Sequence, residues 1–283
     1  MSILGTEEEL VMADTNGPDL LDTGPDLLET LLVDTVDRVA VVSINRPEVH
    51  NAVSRQVQLD LRAVLDWARD HDAVGALVFT GVGDKAFVAG ADISQLKGYS
   101  TQTGLRAGLQ RLYDDIEAFE KPTIAAVNGF ALGGGCELAM ACDIRIASER
   151  ARFGLPETTL SVLPAAGGTQ RLARLVGTGR AVEMILTGRM LDASEAYAAG
   201  LVTSVVPPGD LLDTARSTAH QILAKGPLAV RLAKLVIRAG MDADIRTGLV
   251  IERLAQTVLY GTEDKLEGAT AFLEKRPPDF RGR

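Results

Sequence analysis

Apolar residues recur at helical spacing from Ser54 to His71, behind a serine placed to cap the free N–H groups of a first turn. That pattern predicts an amphipathic helix. Upstream, LLVDTV and RVAVVSIN are rich in β-branched residues and read as two strands with Asp37-Arg38 between them. A further apolar run from Ala73 to Gly81 leads into a Gly-rich turn carrying FVAGADI (Phe87 to Ile93), a helix around Leu105 to Glu120, and the strand TIAAVN. Strands this continuously apolar, alternating with helices, predict α/β layering with the strands covered on both faces. From Gly177 onward the pattern turns mostly helical, with Gly226-Pro227 opening a helix through Arg238 and another running from Asp244 to Tyr260. The expected organisation is a leader over residues 1–30, an α/β core over 31–200 and a helical subdomain over 201–283.

Charge changes the reading of the leader. Residues 1–37 hold ten acidic side chains and no Lys or Arg, whereas the remainder, with 28 acidic and 29 basic residues, is nearly neutral. The leader also carries a direct repeat, GPDLLDT (Gly17 to Thr23) then GPDLLET (Gly24 to Thr30). Self-repulsion predicts a mobile tail there, and deletion of residues 1–30 is expected to leave turnover and melting nearly unchanged. A neutral body gives no polybasic footprint for nucleic acid or a membrane surface. Two cysteines and three scattered histidines give no disulfide framework and no zinc-ligand spacing. No secretory signal pattern and no apolar run of membrane-spanning length appears, so a soluble, cytoplasmic protein is expected.

Two acidic residues stand out by isolation. From Pro122 to Cys142, Glu137 is the sole ionisable group apart from two weakly acidic thiols, and from Phe153 to Gln170, Glu157 is alone. A carboxyl in such surroundings is expected in low dielectric, where its charged form is disfavoured and its pKa rises. Glu137 falls in the first turn of the expected helix CELAMACD, and Glu157 follows the short extended run RFGLP. With Asp143 to Ser148 as a strand and Glu149-Arg150 as a reversal, the chain can return Glu157 to the start of that helix. An acid and a base in one pocket suit the addition or removal of water across a double bond.

Gly133-Gly134-Gly135 opens the Glu137 helix, where backbone can approach a ligand closely and free N–H groups sit at the positive end of the helix dipole. FVAGADI offers a second turn of this kind, with Gly90 before Ala91. Two such donors can hold a thioester oxygen as it becomes an enolate. The sequence contains neither a G-x-G-x-x-G fingerprint, a Walker A loop nor a G-x-S-x-G elbow.

At these residues the chain resembles the enoyl-CoA hydratase (crotonase) family. The matching stretches are INRPEVHNAVS, KAFVAGADI, KPTIAAVNGFALGGGCELAMACDIRIAS, ARFGLPETTLSVLPAAGGTQRL, LTGRMLDASEAYAAGLV and FLEKRPPDF, which together span nearly everything after the leader. The resemblance implies a spiral of β-β-α units with a C-terminal helical trimerisation region, assembled as a homotrimer or a dimer of trimers. It implies acyl-CoA thioesters as substrates, with no metal and no cofactor beyond the CoA of the substrate. On this likeness the N–H groups of Ala91 and Gly134 form the oxyanion hole, and the Ala89 carbonyl meets the CoA adenine. Ala91, Asp92 and Ile93 line the substrate site, and Glu137 and Glu157 are the catalytic pair. Many relatives carry Lys after the isoleucine of this motif, where Ser94 stands here; Lys85 or Lys97 is the candidate replacement for its contact with the CoA phosphates. The activity implied is hydration of trans-2-enoyl-CoA to 3-hydroxyacyl-CoA. Isomerisation or thioester hydrolysis through the same enolate, and a non-catalytic acyl-CoA-binding scaffold, are the alternatives.

Overall fold

Asp37 and Arg38 both adopt positive φ, at 48° and 66°, in the computed structural model, which describes Pro25, residues 27–93 and residues 97–283. Two left-handed residues in sequence give a turn whose twist matches that of the strands it joins. β1 (Leu31–Val36) and β2 (Val39–Ile44) accordingly form an antiparallel hairpin. β2 then pairs in parallel with β3 (Ala76–Gly81), β3 with β5 (Thr123–Val127), β5 with β7 (Ile144–Ser148), and β7 with β10 (Ser204–Val206). A second sheet holds β4 (Ala86–Val88), β6 (Phe130–Leu132) and β8 (Arg152–Gly154) in parallel, with β9 (Leu191–Asp192) antiparallel at its edge. From β3 to β8, successive strands alternate between the two sheets.

Side chains alternate faces along a strand, which explains the near-continuous apolar runs. Ala40, Val42, Ile44, Leu77, Phe79, Ala125 and Val127 face the main core. Their neighbours Val39, Val41, Ala76, Val78, Ile124 and Ala126 face a second core, which Leu211, Ala215 and Ala219 of the Leu211–Leu223 helix complete. Each fully buried side chain of valine or leucine size contributes roughly 1.5–3 kcal/mol.

The Arg55–Asp70 helix begins as its sequence predicts, with the Ser54 hydroxyl accepting from the Val57 N–H at 3.3 Å. It also buries an acid, Asp60, at 3% exposure. Asp60 Oδ2 accepts from the N–H groups of Glu29 and Thr30 at 3.1 and 2.8 Å and from the Thr30 hydroxyl at 2.7 Å. Leu28 packs against the main core. The end of the acidic leader is therefore tied to the body, and deletion through residue 30 would strip these three donors from the Oδ2 of a buried carboxylate, leaving Gln56 on Oδ1 at 2.8 Å. The mobile tail expected further upstream, with the first GPDLLDT copy, lies outside the described residues, as does Ser94.

The reversal at Glu149-Arg150 is present, with the Ala151 N–H donating to the Ser148 carbonyl at 2.8 Å. β8 nevertheless does not fold back onto β7. Both edges of β7 are already taken by β5 and β10, so β8 crosses to the other sheet and pairs with β6, Gly154 opposite Leu132. At the C-terminal end the Pro227–Met241 and Ile245–Tyr260 helices pack together and the Glu263–Glu274 helix follows. Among the described residues no helix is long and apolar enough to cross a membrane.

Candidate active site

β4 and β6 lie side by side, so the turns that leave them face each other. Val53 forms an isolated bridge to the first of these turns: its N–H donates to the Gly90 carbonyl at 2.9 Å, and the Asp92 N–H donates to the Val53 carbonyl at 3.0 Å. Backbone groups alternate direction along an extended chain, so the Ala91 N–H points away from Val53. On that side lies Gly134, where an added Cβ would stand 3.5 Å from the Ala91 nitrogen. Gly134 is the first residue of the Gly134–Ala141 helix, so its N–H has no intrahelical acceptor and sits at the positive helix end. Tyr113, fully buried on the Gly108–Ala118 helix, donates its hydroxyl to the Gly134 carbonyl at 2.8 Å and fixes the orientation of this turn.

Glu137 lies one turn into the same helix, only 2% exposed. Its Oε1 accepts two backbone N–H groups, from Ala166 at 2.7 Å and Gly168 at 2.8 Å. Burial drives its pKa up from an ordinary 4.5 to about 7; the two N–H donors and Arg171 pull against that rise, and the Glu157 charge adds to it.

Glu157 arrives by a different route, on the short 3-10 turn Pro156–Leu160 that follows β8. Pairing of β8 with β6, extended by the Gly133 N–H donating to the Gly154 carbonyl at 2.9 Å, brings this turn beside the Gly133 corner. Gly133 has φ +51°, and a Cβ there would stand 2.7 Å from Glu157 Oε1, so only glycine leaves the carboxyl its place. Burial also raises the pKa of Glu157, and its Oε2 is buried with no hydrogen-bond partner among the described residues. Around Gly133 the structure thus gathers the N–H groups of Ala91 and Gly134 and the carboxyls of Glu137 and Glu157.

The other candidate residues sit at the rim. Ala89 is half-buried, its N–H donating to the His50 carbonyl at 3.0 Å. Asp92 is paired with Arg46 at 3.6 Å, and Ile93 is exposed. Lys85 and Lys97 are both exposed. Among the described residues no group of three or more His, Cys, Asp and Glu side chains could hold a metal ion.

Sequence reasoning missed the supports of the site: Tyr113, the Ala166 and Gly168 N–H groups, and Arg171. One signal was available. Gly167 immediately precedes a helix that begins at Gly168, Gly168–Val176, as Gly133 precedes its own, and such a corner exposes backbone donors.

The family model described as Enoyl-CoA hydratase/isomerase matches residues 34–283. The crotonyl-CoA hydratase of Syntrophomonas wolfei is 46% identical over 254 residues, covering 89% of this chain and 98% of that protein. The short-chain-enoyl-CoA hydratase of Clostridium acetobutylicum is 46% identical over 251 residues, covering 88% of this chain and 96% of that one. Among solved structures, the enoyl-CoA hydratase of Bacillus anthracis superposes with a TM-score of 0.87 at 42% identity, over 90% of this chain and 100% of that chain. Likeness of this extent in both sequence and architecture settles the lineage: the chain belongs to the enoyl-CoA hydratase/isomerase family.

Proposed function

We propose that this chain is an enoyl-CoA hydratase, adding water reversibly to trans-2-enoyl-CoA to give 3-hydroxyacyl-CoA. The observation that carries this reading is the buried Glu137 carboxyl and the half-buried Glu157, whose Oε2 is enclosed, beside the backbone N–H groups of two adjacent turns. As the oxygen of water bonds to C3, the electron pair of the double bond moves toward the thioester carbonyl. The Ala91 and Gly134 N–H groups hold the oxygen that gains this charge, and losing one such donor costs about 2.7–4 kcal/mol. One proton of the water passes to a carboxylate, and C2 takes a proton from a carboxylic acid, so H and OH are added and nothing is oxidised.

The hydrogen bonds divide these two roles. Two N–H donors on Oε1 support Glu137 as the charged base, leaving Oε2 outside those hydrogen bonds to receive the proton of water. Among the described residues Glu157 Oε2 has no partner to hold a charge, which favours the neutral acid that protonates C2. The Ala89 carbonyl serves the CoA adenine, Asp92 and Ile93 border the acyl-CoA, and Lys85 or Lys97 supplies the cationic contact to its phosphates. The reaction calls for no cofactor beyond the CoA of the substrate. Hydration of crotonyl-CoA, followed by the loss of absorbance of the conjugated thioester, tests the assignment. Activity is expected to vanish in Glu157→Gln, and a variant retaining wild-type turnover would overturn it.

The alternation of strands between two sheets supports a crotonase-type spiral. The C-terminal helices leave Leu254, Val258, Phe272 and Leu273 exposed, which supports their burial between copies in a homotrimer or a dimer of trimers. Sedimentation of the purified protein as a monomer would refute the assembly. The expected setting is the cytoplasm, on acyl-CoA intermediates of fatty-acid β-oxidation.

A further inference from the structure

Two N–H groups converge on one oxygen of Glu137 only while the Ala166–Gly168 corner keeps its shape, and a single side chain braces that corner. Arg171, with its side chain 10% exposed, donates its own backbone N–H to the Gly167 carbonyl at 2.8 Å and Nη1 to the Ala166 carbonyl at 2.9 Å. Gly167 has φ +99°, and a Cβ there would fall 2.0 Å from Nη1, so the guanidinium fills the space above the corner. The other edge of the fork is anchored on the Gly108–Ala118 helix: Nε donates to Glu117 Oε2 at 2.9 Å and Nη2 to Asp114 Oδ1 at 2.7 Å. That helix is also the one whose Tyr113 orients the Gly134 turn.

The bracing continues outward. Glu117 Oε1 accepts from Arg238 Nη1 of the Pro227–Met241 helix, and Arg238 Nη2 donates to Asp143 Oδ1 at 2.9 Å. Lys234, one turn earlier on that helix, pairs with Asp143 Oδ2 at 2.8 Å. Asp143 in turn accepts from the N–H of Thr123, at the start of β5, at 2.8 Å. Charges of alternating sign thus link the C-terminal helices, the central sheet and the corner that clamps Glu137.

We propose that Arg171 is a positioning residue for catalysis, its planar fork holding the Ala166–Gly168 corner against the Gly108–Ala118 helix so that Glu137 and the Gly134 donor keep one fixed spacing, with Glu117 and Arg238 extending that frame to the C-terminal helices. The proposal rests on the hydratase reading above. A lysine keeps the charge but not the two-edged fork, so it cannot bridge the Ala166 carbonyl and the two acids at once.

The test compares Arg171→Lys, Arg171→Met and Glu137→Gln in crotonyl-CoA hydration across pH. For Arg171→Lys, kcat is expected to fall about ten- to a hundredfold with KM changed less than about threefold, because a displacement near 1 Å costs on that order. The charged or titratable groups facing Glu137 are Glu157, Arg171, Tyr113 and Cys136. Arg171 is the cation among them, so Arg171→Met moves the limb of the kcat profile that reports Glu137 to higher pH, and Arg171→Lys moves it less. The limb shift in Arg171→Met reports the lost charge alone, whereas a merely structural arginine would lower the melting temperature and leave the kcat of the folded, charge-conserving Arg171→Lys unchanged. Inactive Glu137→Gln beside Arg171→Lys of wild-type kcat overturns this proposal alone; Glu137→Gln of wild-type turnover overturns the hydratase reading and the proposal with it. Should Arg171→Met fail to fold, Glu117→Gln decides: a lowered kcat at unchanged KM supports the brace, and an unchanged kcat overturns it.

Discussion

Replacing Glu137 by glutamine is expected to destroy turnover and yet make the protein more stable, by an amount that grows with pH. The glutamine carbonyl can keep accepting the Ala166 and Gly168 N–H groups, so the substitution removes a charge and little else. In the folded chain the carboxyl titrates near 7 against an ordinary 4.5, chiefly because burial disfavours its charge. Between those values the folded state binds the proton more tightly than the unfolded one. The stability contribution of protonated Glu137 is therefore complete below the unfolded pKa and is lost as pH rises through the folded value. Relative to an uncharged isostere, the wild type is penalised by about 1 kcal/mol at pH 5 and about 3 kcal/mol at pH 8. The difference corresponds to roughly 5 °C in melting temperature for a chain of this size. Urea unfolding of both proteins at pH 5 and pH 8, at one protein concentration, reads it directly. An advantage of Glu137→Gln that is equal at the two pH values, or absent at pH 8, would refute the claim that burial strains this carboxylate.

Further expectations follow from the same geometry. Wild-type kcat for hydration rises with pH through about 7 as Glu137 ionises, and a profile flat from pH 5 to 8 contradicts its role as base. Gly133→Ala, which forces a Cβ to 2.7 Å from Glu157 Oε1 at positive φ, lowers kcat at least about tenfold and costs about 1–3 kcal/mol, read by steady-state kinetics and denaturant unfolding. Tyr113→Phe removes the hydroxyl donor to the Gly134 carbonyl, costing about 0.5–1.5 kcal/mol and lowering kcat more than it raises KM. Truncation through residue 30 exposes the effect of the Asp60 contacts: a loss of about 1–3 kcal/mol in unfolding free energy is expected, and an unchanged midpoint would show that Thr30 and Glu29 contribute nothing.

The parts of this molecule that could be read from letters are those written in side-chain periodicity. Val39 to Ile44, Ala76 to Gly81 and Thr123 to Val127 are apolar at every position but one or two because each faces a core on both sides. The Ser54 cap and the Asp37-Arg38 turn are local and were equally legible. Glu137 and Glu157 were conspicuous because the runs around them hold almost no other charge. What escaped is non-local or made of backbone. The crossing of β8 to the second sheet depends on which strand edges are already occupied, and no residue of RFG encodes that. Asp60 sits in a helix full of polar residues and resembles a solvated acid until Glu29 and Thr30 are seen over it. The clamp on Glu137 consists of amide groups that every residue except proline possesses, and Arg171 in TQRLARL reads as an ordinary surface arginine.

The polarising groups assigned to Ala91 and Gly134 belong to the polypeptide main chain, which has a consequence for how this architecture can drift. A codon change to anything but proline swaps what hangs from a Cα and leaves the amide N–H intact, so most point mutations can erase these donors only by first displacing β4, β6 or their turns. The two glutamates have no such protection, since one nucleotide converts either into glutamine or glycine. Descendants of such a gene would inherit a durable cradle for an activated thioester alongside an easily rewritten proton inventory, and new reactions would arise by editing the latter.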